Sequence, residues 1–288
     1  MPHLGYTNVN VFSPMPYRGN SLPVFRDAGG LNRDQMLRIT QEFRQFEAIF
    51  LESTSAADTM RATIFDLFEE LPFAGHPLIG AAAALHHACG GLREQTWHFE
   101  LTHKTVSVVT WPTTFGHFGL LDQGKPEFLG AVPEPEIFAR AFSLAPSDLH
   151  PQLPLEIVST GLAYLIIPVN AGALEKARIH TDITALLAGT DAQFAVLLDE
   201  SALEIRHWNN DGIVEDVATG SAAGTIGAYR LKHGLADGDE TFVLRQGRFT
   251  GRPSELSVRP AGTAEHVSTV KVGGDVTIVG HGALVVLP

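Results

Sequence analysis

Residues 75–85 read GHPLIGAAAAL, and residues 220–229 repeat the pattern as GSAAGTIGAY. Each run opens on a glycine and a polar residue, and the two glycines are 145 positions apart (220 minus 75) in a chain of 288 residues. A helix that is apolar on every side is expected where strands wrap it, and its small residues let those strands approach closely. The repeat therefore predicts two similar halves, each with strands around one buried central helix.

A second pair of landmarks supports this duplication. Gly19 follows the first predicted strand, and Gly161 lies in the matching segment 142 positions later (161 minus 19). A stretch rich in proline and loop-forming residues between the halves indicates a boundary. We therefore predict an α/β chain with an N-terminal half at 1–128, on which the last strand (about 276–288) packs, and a C-terminal half at 129–288.

The apolar periods predict the elements between these landmarks. Alternation favours a strand pair at 101–111 and 115–121 and a closing strand at 276–287. Helical spacing favours a helix at 32–43 and another at 179–188.

Composition argues against several classes of function. The net charge of −12 is a poor match for a nucleic-acid backbone or an anionic membrane surface. Cys89 is the only cysteine, so no disulfide forms within the chain, as is usual in a reducing cytoplasm. The N-terminal residues show no secretory signal, and no apolar run is long enough to span a bilayer. We therefore expect a cytoplasmic protein without a nucleic-acid or membrane partner.

The two repeated glycine-polar pairs mark candidate anion sites. The first N–H groups of a helix have no partner within it and carry partial positive charge, so a carboxylate or phosphate binds there readily. His76 takes the predicted N-cap position, with Pro77 as first helical residue, and Ser221 is a favoured N-cap residue. Gly75 and Gly220 let a ligand approach the main chain. If the two helix starts face each other, both hold one small anion. The alternative is two well-capped buried helices without a ligand.

Two carboxylates are candidates for acid–base chemistry. Glu47 stands between Phe46 and aliphatic residues, where a charged group must be paired or change its protonation. A carboxyl in such surroundings can serve as general acid or base, although Glu47 could instead point to solvent from a strand edge. Asp216 precedes the second helix start. It either orients His76 and fixes its tautomer or caps the Thr219-Gly220 turn.

Other motifs predict no further site. Thr219 occupies the place of the first glycine of a nucleophile elbow, so Ser221 does not match that motif. No Walker A or GxGxxG run follows a strand. His86, His87 and Cys89 have the composition of a metal cluster, but adjacent helical residues point in different directions, so we expect no metal there. Cys89 is expected to pack in the core.

Two blocks and one glutamate give the chain a family resemblance. The blocks are ELPFAGHPLIG at 70–80 and DVATGSAAG at 216–224, and the glutamate is Glu47. In these residues the chain resembles the PhzF family of phenazine-biosynthesis isomerases, and the similarity runs almost end to end. Its further matches are Asn10-Val11-Phe12, Gly19-Asn20, Gln246-Gly247, Gly251-Arg252-Pro253 and Val272-Gly273-Gly274.

The resemblance implies a diaminopimelate-epimerase-like fold, with two similar domains, each a curled sheet around a central helix, and the site between them. It also implies a homodimer that works without cofactor or metal. In the phenazine enzyme, a glutamate matching Glu47 moves a proton within a dihydro-hydroxyanthranilate ring, turning an enol into a ketone. Positions matching His76 and Asp216 assist. The amides that hold the substrate carboxylate match Gly75, His76, Gly220 and Ser221.

This chain also departs from the family. Phe46 stands where the family usually has serine, and Val217 where it usually has proline. The epimerase relatives carry an acid–base cysteine in each half, whereas Cys89 lies at the far end of its predicted helix, which argues against cysteine-based racemisation.

The leading hypothesis is a cofactor-independent isomerase that moves a proton on a small unsaturated carboxylic acid resembling trans-2,3-dihydro-3-hydroxyanthranilate. Glu47 is its acid–base group, with His76 and Asp216 as partners. The alternative is a non-catalytic protein of the same fold that binds a small carboxylate or serves as a scaffold. A hydrolase that uses Ser221 as nucleophile is a distant third.

Overall fold

The computed structural model describes residues 4–288 as a mixed α/β protein. Its strands are β1 (Leu4–Val11), β2 (Asn20–Phe25), β3 (Glu47–Ser53), β4 (Thr59–Asp66), β5 (Glu70–Leu71), β6 (Gln95–Glu100), β7 (Thr105–Pro112), β8 (His117–Asp122), β9 (Glu127–Ala131), β10 (Glu156–Ser159), β11 (Ala163–Val169), β12 (Phe194–Asp199), β13 (Glu204–His207), β14 (Phe242–Gln246), β15 (Ser254–Thr263) and β16 (His266–Leu284). Its α-helices are α1 (Arg33–Phe43), α2 (Gly75–Cys89), α3 (Pro135–Ala141), α4 (Ala173–Lys176), α5 (Thr184–Leu187) and α6 (Gly220–Lys232), with short 3₁₀ turns at Pro146–Asp148 and Arg248–Thr250.

The described residues divide into two compact units. One contains the residues up to Asp122 together with Gly273–Pro288, and the other is Gln123–Val272. The division into halves at residue 128, which the repeat predicts, stays a prediction, and residues 1–3 of that N-terminal half lie outside the described residues. Among the helices formed by residues 4–288, none has both the length and the apolar character needed to span a lipid bilayer.

The first unit is a curled sheet around α2. Its strands follow the order β1, β2, β3, β4, β6, β7, β8 and β16, and β16 also pairs antiparallel with β1, so this sheet closes on itself. Helix α2 contacts β1, β2, β7 and β8 and is buried from Gly75 to His86. A Cβ at Gly80 would lie 2.6 Å from the Leu22 side chain, so the absence of one lets β2 pack against the helix backbone.

The second unit repeats this arrangement with α6 as its central helix. Its strands follow the order β16, β15, β14, β13, β12, β11, β10 and β9, to which β16 contributes its residues before Gly273. Helix α6 packs against β10, β11 and β15 and is buried from Gly220 to Leu231. A Cβ at Gly227 would lie 2.6 Å from Val258 on β15. The pattern of an apolar helix within strands is therefore confirmed in both units.

Several element predictions need correction. The predicted strand at 101–111 begins four residues later, as β7 at Thr105, because residues 101–104 form the turn of the β6–β7 hairpin. The predicted helix at 179–188 is only the single turn α5, and the closing strand begins at His266 rather than at 276. Local periodicity does not record where a hairpin turns or how far a strand continues, and tertiary context overrides a weak helical spacing. Helix α1, in contrast, lies where its spacing predicts, with Asn32 forming a capping box with Gln35.

The far end of α2 carries a cluster of histidines. His86 is fully buried, and its ring lies 4.6 Å from that of His117, centroid to centroid; the His87 ring lies 5.9 Å from the same ring. Cys89 is exposed, contrary to the predicted core position, because the helix ends there at Gly90 and leaves its last turn open to solvent. Within residues 4–288, no three histidine, cysteine, aspartate or glutamate side chains are arranged to hold a metal ion.

Burial of His117, together with the neighbouring His86 and His87 rings, lowers the pKa of His117 to about 4. In the unfolded chain, the His117 imidazole becomes protonated below about pH 6.5. In the folded chain, it stays neutral until the pH falls to about 4. We therefore expect the free energy of unfolding to fall as the pH drops from about 6.5 to about 4, with His117 contributing up to about 3 kcal/mol of that loss.

Urea unfolding across this pH range checks the expectation. His117→Gln should flatten the dependence, while His180→Gln, at an exposed position, should leave it unchanged. An equally steep loss of stability in His117→Gln would show that the buried imidazole is not responsible.

Candidate active site

The two central helices begin two residues earlier than predicted. Helix α2 has Ala74 as its N-cap and α6 has Thr219, both with extended backbone angles. His76 and Ser221 are therefore the second residues of their helices, and the prediction that they take the N-cap position is wrong. The reason is that Gly75 and Gly220 already adopt helical conformation. Neither helix start is capped by a side-chain hydrogen bond of its N-cap residue.

Glu47 and His76 meet inside the first unit. Glu47 opens β3 and is 7% exposed, and His76, in the first turn of α2, is 5% exposed. Glu47 Oε2 lies 2.8 Å from His76 Nδ1, the distance of an ion pair. The contact lacks the alignment of a regular hydrogen bond, since Glu47 Oε2 is without a hydrogen-bond partner in the described structure. The alternative that Glu47 points to solvent is wrong, because β3 is covered on both sides.

The other ring nitrogen of His76 is also unpartnered. His76 Nε2 is buried and makes no hydrogen bond within residues 4–288. Leaving a buried polar atom without a partner costs about 1–3 kcal/mol, so such an atom is usually satisfied by a water molecule or a ligand, or serves a catalytic role. A buried carboxylate paired with a buried imidazole whose Nε2 has no partner is the arrangement expected of a group that exchanges protons with a ligand.

A tyrosine that carries no local sequence signal holds Ser221 inside the second unit. Tyr164 Oη and Ser221 Oγ are 2.8 Å apart, and both side chains are buried. Tyr164 lies on β11 with its ring 5.5 Å from those of Phe194 and His207. Ser221 therefore makes a side-chain contact with the sheet instead of capping its helix.

A glutamine spans the first turn of α6. Gln123 Nε2 donates to the carbonyl of Gly220 (2.9 Å), and Gln123 Oε1 accepts from Thr160 Oγ1 (2.7 Å). Gly224 makes room for this side chain, because a Cβ there would collide with Gln123 Oε1. Gly224, the second glycine of the run at 220–229, is thus required by the packing of a buried amide.

Asp216 lies in the turn that leads into α6. Its carboxylate Oδ2 accepts from Thr219 Oγ1 (2.6 Å), and its N–H donates to the carbonyl of His207 (2.9 Å). Of the two predicted roles, the cap of the Thr219-Gly220 turn is therefore present in the structure. Burial lowers the pKa of His207, and the charge of Asp216 partly opposes that effect.

A buried ion pair anchors the same segment. Arg206 Nε and an Nη atom bind the two oxygens of Glu215 at 2.8 and 2.6 Å, directly before Asp216 in the chain. The guanidinium lies between the rings of Trp208 and Phe249, 4.3 and 4.1 Å from their centroids. The pair joins Arg206 on β13 to Glu215, the residue before Asp216. It therefore fixes the position of Asp216 in the loop.

The predicted site residues thus form two groups, one in each unit. Glu47, Gly75 and His76 surround the start of α2, and Asp216, Gly220 and Ser221 surround the start of α6. Sequence reasoning missed the buried residues that support the second group. Of these, Gln246 belongs to a Gln-Gly pair already noted in the sequence, while Tyr164 and Gln123 carry no local signal.

Comparison with known proteins gives a consistent result. A family model described as phenazine biosynthesis-like protein matches residues 9–282. The chain is 30% identical over 292 residues to the trans-2,3-dihydro-3-hydroxyanthranilate isomerase of Pseudomonas chlororaphis, covering 97% of this chain and 99% of that protein.

Solved structures agree in fold. A Pseudomonas aeruginosa protein described as a predicted epimerase superposes with a TM-score of 0.92 at 46% identity, covering 98% of this chain and 99% of that one. A Bacillus anthracis phenazine biosynthesis protein of the PhzF family superposes with a TM-score of 0.85 at 22% identity, covering 99% and 100%. The predicted diaminopimelate-epimerase-like fold is confirmed.

The Arg206–Glu215 pair yields a stability prediction. Glu215→Gln removes one charge from a buried pair and leaves Arg206 uncompensated, which should lower the free energy of unfolding by about 3 kcal/mol. Urea denaturation measures the change. The matched control is Glu175→Gln, because Glu175 is 63% exposed and lies 3.5 Å from Arg248; its loss should cost at most about 0.5 kcal/mol. Equal effects of the two substitutions would contradict the assigned importance of the buried pair.

Proposed function

Because this chain belongs to the PhzC-PhzF family of phenazine biosynthesis-like proteins and is an isomerase, we propose that it moves a proton between two carbon atoms of a small unsaturated carboxylic acid. The substrate class is that of trans-2,3-dihydro-3-hydroxyanthranilate, on which the Pseudomonas chlororaphis relative is named as acting. Glu47 is the proposed acid–base group, and His76 and Asp216 assist it. The reaction needs no cofactor or metal in this proposal.

The observation that carries the proposal is the Glu47–His76 pair. Both side chains are buried, Oε2 and Nδ1 are 2.8 Å apart, and Oε2 and Nε2 have no hydrogen-bond partner among residues 4–288. A purely structural pair would be expected to satisfy these atoms within the fold. The unpartnered Nε2 of His76 supports a role in which a bound molecule supplies the missing partner.

In the proposed reaction, the Glu47 carboxylate removes a proton from one carbon and returns it to another. Removal of the proton from the hydroxyl-bearing carbon and its return to another carbon leaves an enol, whose O–H proton then moves to carbon to give the ketone, so the product contains the same atoms as the substrate. His76 lies close enough to Glu47 to stabilise its charged form when the imidazole is protonated, or to hold the proton it has taken. General acid–base catalysis of this kind contributes about 10²–10⁴-fold to rate.

The two uncapped helix starts support the proposed binding of the substrate carboxylate. N–H groups at the start of α2 and α6 lack a side-chain cap, and partial positive charge favours an anion there. The proposal assigns carboxylate binding to the amides of Gly75, His76, Gly220 and Ser221. Homodimer assembly and a cytoplasmic location stay predictions.

Glu47→Gln should lower turnover of trans-2,3-dihydro-3-hydroxyanthranilate by at least about 10²-fold, because the amide keeps the shape of the side chain but neither takes up nor returns the proton. Absorbance of the conjugated substrate measures the rate. The matched control is Glu52→Gln on the same strand, where Glu52 forms an exposed pair with Arg61, and turnover should stay normal.

Near-normal turnover in Glu47→Gln would overturn the assignment of Glu47. A chain that binds the acid without converting it would instead support the alternative of a non-catalytic carboxylate-binding protein.

A further inference from the structure

We infer that Thr219 and Gln246 form a directional hydrogen-bond relay that positions the Asp216 carboxylate for the reaction. The inference rests on the proposed function, since it concerns how Asp216 is held for its assisting role. It assigns a task to the Gln246-Gly247 pair, which resembles the family motif and which the proposed chemistry does not otherwise use.

Three side chains make up the relay, and all are buried. Gln246 lies at the end of β14, where Oε1 accepts from the N–H of Thr219 (2.8 Å). Gln246 Nε2 lies 2.9 Å from both the carbonyl oxygen of Asp216 and Thr219 Oγ1. Thr219 Oγ1 lies 2.6 Å from Asp216 Oδ2.

The direction of each bond follows from the hydrogens available. A backbone N–H only donates, so the Gln246 atom that faces the N–H of Thr219 must be the oxygen, and the NH₂ group faces Thr219 Oγ1. A threonine hydroxyl has a single hydrogen. Because its oxygen already accepts from Gln246, that hydrogen points to Asp216 Oδ2. The Thr219 hydroxyl is therefore the donor, and Asp216 Oδ2 is the acceptor.

The backbone around Gln246 is shaped for this contact. Gly247 has a φ of +84°, and a Cβ there would lie 2.6 Å from the carbonyl oxygen of Val217. Ser254 Oγ donates to that same carbonyl (3.3 Å). Glycine therefore lets β14 end directly against the segment 216–219, which places the Gln246 amide within reach of Thr219.

The consequence is a fixed orientation of the Asp216 carboxylate at the start of α6. Gln246 binds both ends of the turn, because it accepts from Thr219 N–H and donates to the Asp216 carbonyl. The Thr219 hydroxyl binds the Asp216 carboxylate. A hydrogen bond to a charged group is worth more than a neutral one. Loss of the threonine hydroxyl should therefore remove the short hydrogen bond to Oδ2 and leave the carboxylate less well oriented, held by the longer bond from Ala218 N–H to Oδ1 (3.4 Å), without removing the charge.

The test compares two substitutions of Thr219. Thr219→Val keeps the branched shape and removes the hydroxyl, and it should lower kcat about tenfold or more with KM within about threefold. Thr219→Ser restores the hydroxyl and should recover most of kcat. The control is Thr225→Val, which removes a buried hydroxyl bonded to the Ala222 carbonyl in the same helix and should leave kcat unchanged.

Gln246→Glu provides a second variant of nearly equal shape, and it replaces the donor to Thr219 by an acceptor, so kcat should fall as well. Asp216→Asn should lower kcat at least as much as Thr219→Val, and adding Thr219→Val to it should cause little further loss. These results together would support the relay.

Other outcomes overturn it. Normal kcat in Thr219→Val and Gln246→Glu, with Asp216→Asn inactive, overturns the relay alone and leaves the proposed function intact. Equal losses in Thr219→Val, Thr219→Ser and Thr225→Val indicate general packing damage and also overturn the relay. If the unmodified chain does not convert trans-2,3-dihydro-3-hydroxyanthranilate, the proposed function fails, and the relay falls with it as a catalytic device.

Discussion

Close packing of strands against two glycine- and alanine-rich helices is the constraint on which both units depend. Gly80 in α2 and Gly227 in α6 leave no room for a methyl group beside Leu22 and Val258. Because each sheet must curl around its helix at this distance, the helix is buried from its first residue and its start lies within the unit. Uncapped N–H groups, which usually meet water, are here enclosed with polar side chains. The chemistry of both helix starts follows from that enclosure.

The two units share this architecture but differ in the polar groups they bring to it. At the start of α2, a glutamate and a histidine face each other with two unsatisfied atoms. At the start of α6, by contrast, Tyr164, Gln123 and Gln246 satisfy the neighbouring polar groups with hydrogen bonds. In the proposed function, the first helix start supplies the acid–base groups, while the second is rigidly supported by hydrogen bonds. An isomerase that must hold a carboxylate and move a proton has use for both properties.

The central helices and the residues at their starts could be predicted from sequence because a repeated local pattern encodes them. Glu47 was identifiable as a charged residue among apolar ones, but its contact with His76 joins β3 to α2 and leaves no trace in local periodicity. Tyr164 was unpredictable for the same reason, since 57 positions separate it from Ser221. The N-cap position of His76 was wrong because glycine was expected to precede the helix, whereas both glycines lie inside it. Local sequence patterns therefore predict helices and strands, whereas the contacts of a site join residues that are far apart in the sequence.

The central claim is that this chain moves a carbon-bound proton of a small carboxylic acid. The most direct measurement is to incubate the unmodified protein with trans-2,3-dihydro-3-hydroxyanthranilate in D₂O and to analyse the acid by mass spectrometry and NMR. The account predicts deuterium at a ring carbon of the product, formed faster than in a sample without protein. Recovery of the acid unconverted and without carbon-bound deuterium, although the protein binds it, would contradict the account.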